Sequence, residues 1–269
     1  MVIYKNTLLY CLLVLATVNI LNAQSGPLAD EYSRLADDFR KTMKHDSAIM
    51  YYKKASVEFQ TLGNIEKLID SYNNIGRILT RQDKYEEAKT YLDKALSTGL
   101  ASLDANSLQI ATTYIHLGVI YSAIEDYNQS LEYHHKSLSI RLLKLGENDG
   151  EVATSYGNIG NVHFRRKDYE KSIEAHLKAM KIREHVFGKA SAEVIESYAN
   201  LGNAYREKKE YVTALGYFEK ALQNKIIQRG EGHKDLAKYY KNISEVYFLM
   251  NNKEKGEFYR ARSDEVLKN

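Results

Sequence analysis

Tryptophan is absent from this chain of 269 residues, and proline and cysteine occur once each. With so little proline almost nothing interrupts a run of helix, since proline both removes a backbone donor and clashes with the preceding turn. A lone thiol, Cys11, excludes an intrachain disulfide, so stability has to come from packing. An excess of one charge sign is also lacking: 38 Lys and Arg face 35 Asp and Glu, for a net charge of +3. A nucleic-acid binder concentrates basic residues on one face, and this balance argues against one. The sequence contains no HExxH, GxxxxGK, GxGxxG or GxSxG pattern, so a metalloprotease helix, a phosphate loop and a nucleophile elbow are not expected. The expectation is a non-enzymatic chain with no cofactor and no metal. His134 and His176 stand 42 residues apart beside His135 and invite a zinc reading. They share a register position with Leu92 and Phe218, however, and so read as packing residues rather than ligands.

Long apolar runs are scarce as well. The single one covers residues 7–21, preceded by Lys5 and followed by Asn22, Ala23, Gln24 and Ser25. A basic start, a short apolar stretch and a small-residue end make the pattern of a secretory signal. Residues 1–23 are expected to be that signal, cut after Ala23, and 24–269 the mature domain. The run is short for a membrane helix, which needs about 20 apolar residues. A mature chain without a membrane span, exported to a periplasm or secreted, is expected.

What the chain does have is 22 tyrosines in a repeating order. SYNNIGRIL from Ser71, TYIHLGVIY from Thr113, SYGNIGNVH from Ser155 and SYANLGNAY from Ser197 each start 42 residues after the last, and YYKNISEVY from Tyr239 keeps the step. KYEEAKTYLDKAL, DYNQSLEYHHKSL, DYEKSIEAHLKAM and EYVTALGYFEKAL, from Lys84, Asp126, Asp168 and Glu210, follow in the same phase. Within the unit from Ile195, Tyr198, Leu201, Gly202 and Tyr205 share one face of a helix, and Tyr211, Ala214, Phe218 and Ala221 share one face of a second. Neither stripe can be buried alone, so neighbouring units must stack. Gly76, Gly118, Gly160 and Gly202 recur inside the first helices, where each costs about 1 kcal/mol relative to alanine. Close approach of another backbone is the expected reason.

These residues resemble the tetratricopeptide repeat (TPR), in which a large residue, Leu-Gly and an aromatic precede Tyr, Ala, an aromatic and Ala across a helical hairpin. The 42-residue step is similar to the kinesin-light-chain type. The His-Pro pair usual there is incomplete: Asp149–Gly150 and Ser191–Ala192 replace it, and His233–Lys234 keeps the histidine alone. The resemblance implies an all-α fold, a right-handed superhelical solenoid of six hairpins, with repeats near 29–62, 69–102, 111–144, 153–186, 195–228 and 237–269. The first repeat is displaced by 40 residues from the second, and the last has Gly256, Arg260 and Ser263 where others carry core residues, which suits a polar cap.

The resemblance also implies that the first helices line a concave groove. At its margin one column reads Asn74, His116, Asn158, Asn200 and Asn242. Asparagine is a poor residue for a helix interior, because its amide competes for backbone bonds. An amide carries both donors and an acceptor, and can hold the peptide groups of an extended chain. The alternative is a structural amide that bonds a neighbouring helix. Asn73, Arg77, Arg81, Asn161, Arg165, Asn203 and Arg206 lie beside the column, and the arginines favour an acidic ligand, although Glu196, Glu207 and Glu245 interrupt them. Phe164, Phe248 and Leu249 are possible apolar anchors or packing residues. The functional expectation is an exported module that binds a protein or peptide segment in this groove. The alternatives are an assembly scaffold of an envelope complex and a sensor-type ectodomain working with a separate signalling partner.

Overall fold

The computed structural model describes residues 26–268, and the expected signal at 1–23 lies outside them. Twelve α-helices follow one another in six hairpins, with no strand among the described residues. They are α1 (26–41), α2 (His45–Thr61), α3 (Ile65–Arg81), α4 (Tyr85–Ser102), α5 (Leu108–Ala123), α6 (Tyr127–Leu145), α7 (Gly150–Arg165), α8 (Tyr169–Phe187), α9 (Ala192–Glu207), α10 (Tyr211–Arg229), α11 (Ala237–Leu249) and α12 (Lys253–Lys268). A 3₁₀ turn, Lys234–Leu236, leads into α11.

The turn inside each hairpin is made without glycine. Met43, Asp83, Glu125, Lys167, Lys209 and Asn251 all take φ between 58° and 66°. In the fourth hairpin Arg166 N–H and Asp168 N–H return to the Val162 and His163 carbonyls, which closes the end of α7 and reverses the chain. The mixed-charge stretches 165–168 and 206–210 therefore lie at these reversals.

Hairpin-to-hairpin turns start the next helix with a side-chain cap. Asp149 accepts from Glu151 N–H, Ser191 from Val194 N–H, and His233 Nδ1 from Asp235 N–H. These are the positions where the family's His-Pro pair is broken. The turn needs an acceptor there, and carboxylate, hydroxyl and imidazole each supply one. The 40-residue first step has a local cause too: α2 has 17 residues, whereas α6, α8 and α10 have 19 each.

The chain divides into two units, 1–120 and 121–269. In the first, Ala48, Tyr52 and Ala55 of α2 and Leu68, Ile69 and Ile75 of α3 are buried. In the second, one cluster joins α9, α10 and α11 through Val194, Tyr198, Ala214, Phe218, Tyr240 and Ile243. The hairpin positions read from the sequence for 195–228 thus form the core.

The in-phase glycines make room for side chains, which corrects the expectation of a close backbone. A Cβ on Gly76 would lie 2.7 Å from Leu92 Cδ2, one on Gly160 2.8 Å from His176 Cε1, and one on Gly202 2.5 Å from Phe218 Cε1. In these three hairpins the second helix inserts a large residue where the first helix has none. The last hairpin reverses the arrangement: a Cβ on Gly256 of α12 would lie 2.7 Å from Phe248 Cε1 of α11. Ser263 Oγ donates to the Ala237 carbonyl, so this buried hydroxyl of α12 joins the same packing.

Buried arginines tie one hairpin to the next in the second unit. Arg141 of α6 donates to the Glu151 carbonyl and Ser155 Oγ of α7, and its guanidinium meets Glu151 Oε2 at 3.2 Å. Arg183 of α8, 42 residues on, donates to the Glu193 carbonyl and Ser197 Oγ of α9 at 3.2 and 2.9 Å. Burial lowers the pKa of Arg141, opposed by Glu151.

Candidate functional site

The exposed stripe of the first helices carries the expected residues, and its chemistry varies along the chain. In the second unit, Thr154, Asn161 and Arg165 of α7 are exposed, with Asn158 half-buried at their edge. On α9 the same stripe holds Glu196, Asn200, Asn203 and Glu207, and on α11 Lys238, Asn242, Glu245 and Leu249. Spacings of three and four residues keep each set on one face. Gly157, which its spacing from Thr154 and Asn161 puts on the same face, is buried, with Arg183 Nη2 3.5 Å from where its Cβ would stand.

The amides of the column are half-buried. Those of Asn158, Asn200 and Asn242 make no hydrogen bond among the described residues. In the first unit Asn74 Oδ1 accepts from Arg77 Nη2 at 2.8 Å, while His116, half-buried, keeps contacts of its own. Asn73, one residue before Asn74, has a different role from the one expected beside the column. It is buried, and Thr113 Oγ1 donates to its Oδ1 at 2.9 Å, so this amide joins α5 to α3.

The arginines are less available than their number suggests. Arg206 meets Glu245 Oε2 at 2.9 Å and Glu207 Oε1 at 3.1 Å, which neutralises it and links α9 to α11. Arg165 Nη1 donates to the Ser122 carbonyl at 3.3 Å. Arg77 is half-buried, and burial lowers its pKa with Arg40 adding to the shift. Arg81 is exposed without a partner among the described residues. Within the second unit the face therefore offers amides and paired charges rather than a basic stripe, which weakens the expectation of an acidic ligand.

The aromatic anchors sort themselves out. Phe164 packs beside Ile173, Leu201 and Ala204 and meets the Tyr169 ring edge-on, with centroids 5.8 Å apart. Phe248 fills the space at Gly256. Leu249 is 50% exposed and stays available.

His134 and His176 are each 1% exposed. Burial drives the His134 pKa down to about 4, with His135 and Arg141 adding to the shift. Burial and then Arg183 do the same for His176, also to about 4. Neither Nδ1 has a hydrogen-bond partner, so both are neutral packing rings near neutral pH. No group of three or more His, Cys, Asp or Glu residues that could hold a metal ion occurs among the described residues.

The tetratricopeptide-repeat family model matches residues 67–142 and 151–227, more than half of the chain. Comparison with the curated proteins finds no match. Among solved structures, BtubC (BKLC) from P. vanneervenii is similar at 18% identity, with 91% of each chain covered and a TM-score of 0.67. An inferred kinesin light chain of Podosopora anserina with nearly identical TPR-like repeats is similar at 12% identity, over 76% of this chain and 96% of that one, with a TM-score of 0.67. The apo form of RapI is similar at 16% identity, over 89% and 97% of the two chains, with a TM-score of 0.61. At these identities the likeness shows the fold alone. With two family matches that cover four of the six hairpins in whole or part, the chain belongs to the tetratricopeptide-repeat family, and its 42-residue hairpins share the fold of kinesin-light-chain-like repeats.

Proposed function

We propose that this protein–protein interaction module binds an extended segment of a partner along the exposed face of its first helices, with the amides of Asn158, Asn200 and Asn242 holding the segment's peptide groups. One observation carries the reading: three half-buried amides recur at a 42-residue step and bond nothing among the described residues, whereas the structural amide of Asn73 is buried and bonded. An amide of this kind can donate to a carbonyl and accept from an N–H of an extended strand. It recognises backbone, so affinity rather than sequence preference is its contribution. A role outside the cytoplasm is part of the proposal and rests on the signal-like pattern of residues 1–23.

A displayed library of random peptides, selected on the full chain, tests the binding reading. In the variant Asn158→Ala/Asn200→Ala the affinity of selected peptides falls about tenfold or more, at about 1 kcal/mol for each hydrogen-bonding group, while the far-ultraviolet helical spectrum is unchanged. Unchanged affinity would move the site off this face. Loss of the helical spectrum would show that the amides are structural.

A further inference from the structure

In five of the six hairpins the second helix sends a tyrosine against the aromatic or apolar residues of the first. Tyr217 lies between Tyr198 and Tyr205, with ring centroids 6.2 and 5.5 Å away, the closer pair stacked. Tyr259 lies between Tyr240 and Tyr247 at 6.3 and 5.5 Å. Tyr51 sits between Tyr32 and Phe39 at 6.0 and 5.4 Å, Tyr91 meets Tyr72 at 6.2 Å, and Tyr133 stacks on Tyr121 at 5.4 Å. A lysine three residues on approaches several of these inserted rings: Lys94 at Tyr91, Lys136 at Tyr133 and Lys220 at Tyr217, each 5.3–5.4 Å from the centroid.

The fourth hairpin keeps the clamp and lacks the ring. Tyr156 and His163 stand where Tyr198 and Tyr205 stand 42 residues later, and Lys178 corresponds to Lys220. The residue that corresponds to Tyr217 is Ala175. A cavity of about 230 Å³ opens there, lined by Tyr156, Ile159, His163, Ala175, Lys178 and His135. His135 takes the place that Leu177 holds beside Tyr217. Lys178 lies 5.7 Å from the Tyr156 centroid, as Lys220 lies 5.9 Å from that of Tyr198, and bonds Glu174 at 2.8 Å. Tyr156 is displaced by about 200° around α7 from Asn158, so the cavity is separate from the amide face.

We propose that this cavity is a socket for an aromatic side chain, tyrosine or phenylalanine, carried by a partner protein. The chain itself specifies the occupant: at the same register position the other hairpins hold a flat ring between two walls under a lysine. A ring that enters here gains offset stacking on Tyr156, contact with the His163 imidazole and the cation of Lys178. A free ring has few atoms and binds weakly, whereas one carried on a protein bound elsewhere is delivered at high effective concentration. That argues for a side chain as the occupant.

The test uses p-cresol, the tyrosine side chain as a free molecule, titrated into the full chain with carbon–proton NMR. Half-saturation is expected near a millimolar concentration, with shifts at Tyr156, His163 and Ala175. Ala175→Tyr refills the socket from within, so it lowers p-cresol affinity at least tenfold and raises the midpoint of thermal unfolding. The blocked tripeptide Gly-Tyr-Gly binds at least as well as p-cresol. No shift at tens of millimolar p-cresol, the same shifts in Ala175→Tyr, or a variant that loses its helical spectrum would each overturn the proposal. Entry of p-cresol with exclusion of the tripeptide would overturn it as well, because the occupant would then be a free small aromatic.

Discussion

Acidification from pH 7 to pH 4.5 is expected to cost this protein several kcal/mol of unfolding free energy, and replacing two histidines is expected to remove most of that loss. His134 and His176 are buried with folded-state pKa values near 4, against an ordinary value of 6.5. Between those values the unfolded chain binds a proton at each site and the folded chain does not. Unfolding then takes up protons, so stability rises with pH across this window and falls as pH drops through it; below about 4 the slope flattens. The displacement corresponds to about 3 kcal/mol for each histidine. The chain supplies its own replacements, since the same register position holds Leu92 in the second hairpin and Phe218 in the fifth. Urea titrations at pH 7, 6, 5 and 4.5 compare the wild type with His134→Leu/His176→Phe. The variant should show a much flatter dependence. It should also be no less stable at pH 7, because two buried ring nitrogens without partners are gone. An equal slope in both proteins would mean that carboxylates, not these rings, set the acid sensitivity.

The largest single-site loss is expected at Phe218. Its side chain is 0% exposed and occupies the space that Gly202 leaves open in the opposing helix. Truncation removes the ring's burial and leaves a cavity between α9 and α10 that a glycine cannot fill, so Phe218→Ala costs about 3–5 kcal/mol. Phe218→Leu imitates the second hairpin, where Leu92 meets Gly76, and costs less. Phe258→Ala is the control: that ring is 58% exposed on α12, and its removal stays within about 0.5 kcal/mol. Because stacked hairpins touch mainly their neighbours, the loss at Phe218 also appears as faster amide exchange in α9, α10 and α11 before it appears elsewhere. A cost at Phe218 no greater than that at Phe258 would contradict the packing described above.

The hairpins were legible in the sequence because a period carries its own phase. Tyr198, Leu201, Ala214 and Phe218 declare two faces that must meet, and the structure buries all four. The glycine column was legible as a close contact but not as a knob of Leu92, His176 or Phe218, since a missing side chain signals proximity without naming what is near. The margin amides were visible as a column. Which of them are bonded was not, because Asn73 and Asn74 are adjacent in sequence and face different surroundings. Glu245 was legible as an interruption among the arginines, but not as the partner of Arg206, 39 residues earlier. The socket left one trace in the sequence: Ala175 breaks a column of tyrosines at 91, 133, 217 and 259.

The measurement closest to the central claim places a photoreactive residue on either side of the second unit. Benzoylphenylalanine is substituted for Glu196, exposed one turn before Asn200 on α9, or for Lys181, exposed on α8. Each full-length protein is irradiated with a peptide selected on the wild type. If the first helices hold the ligand, the peptide is captured from position 196 and not from 181, and the free selected peptide competes the capture away. Capture from 181 with none from 196 would contradict the assignment of ligand binding to the amide face.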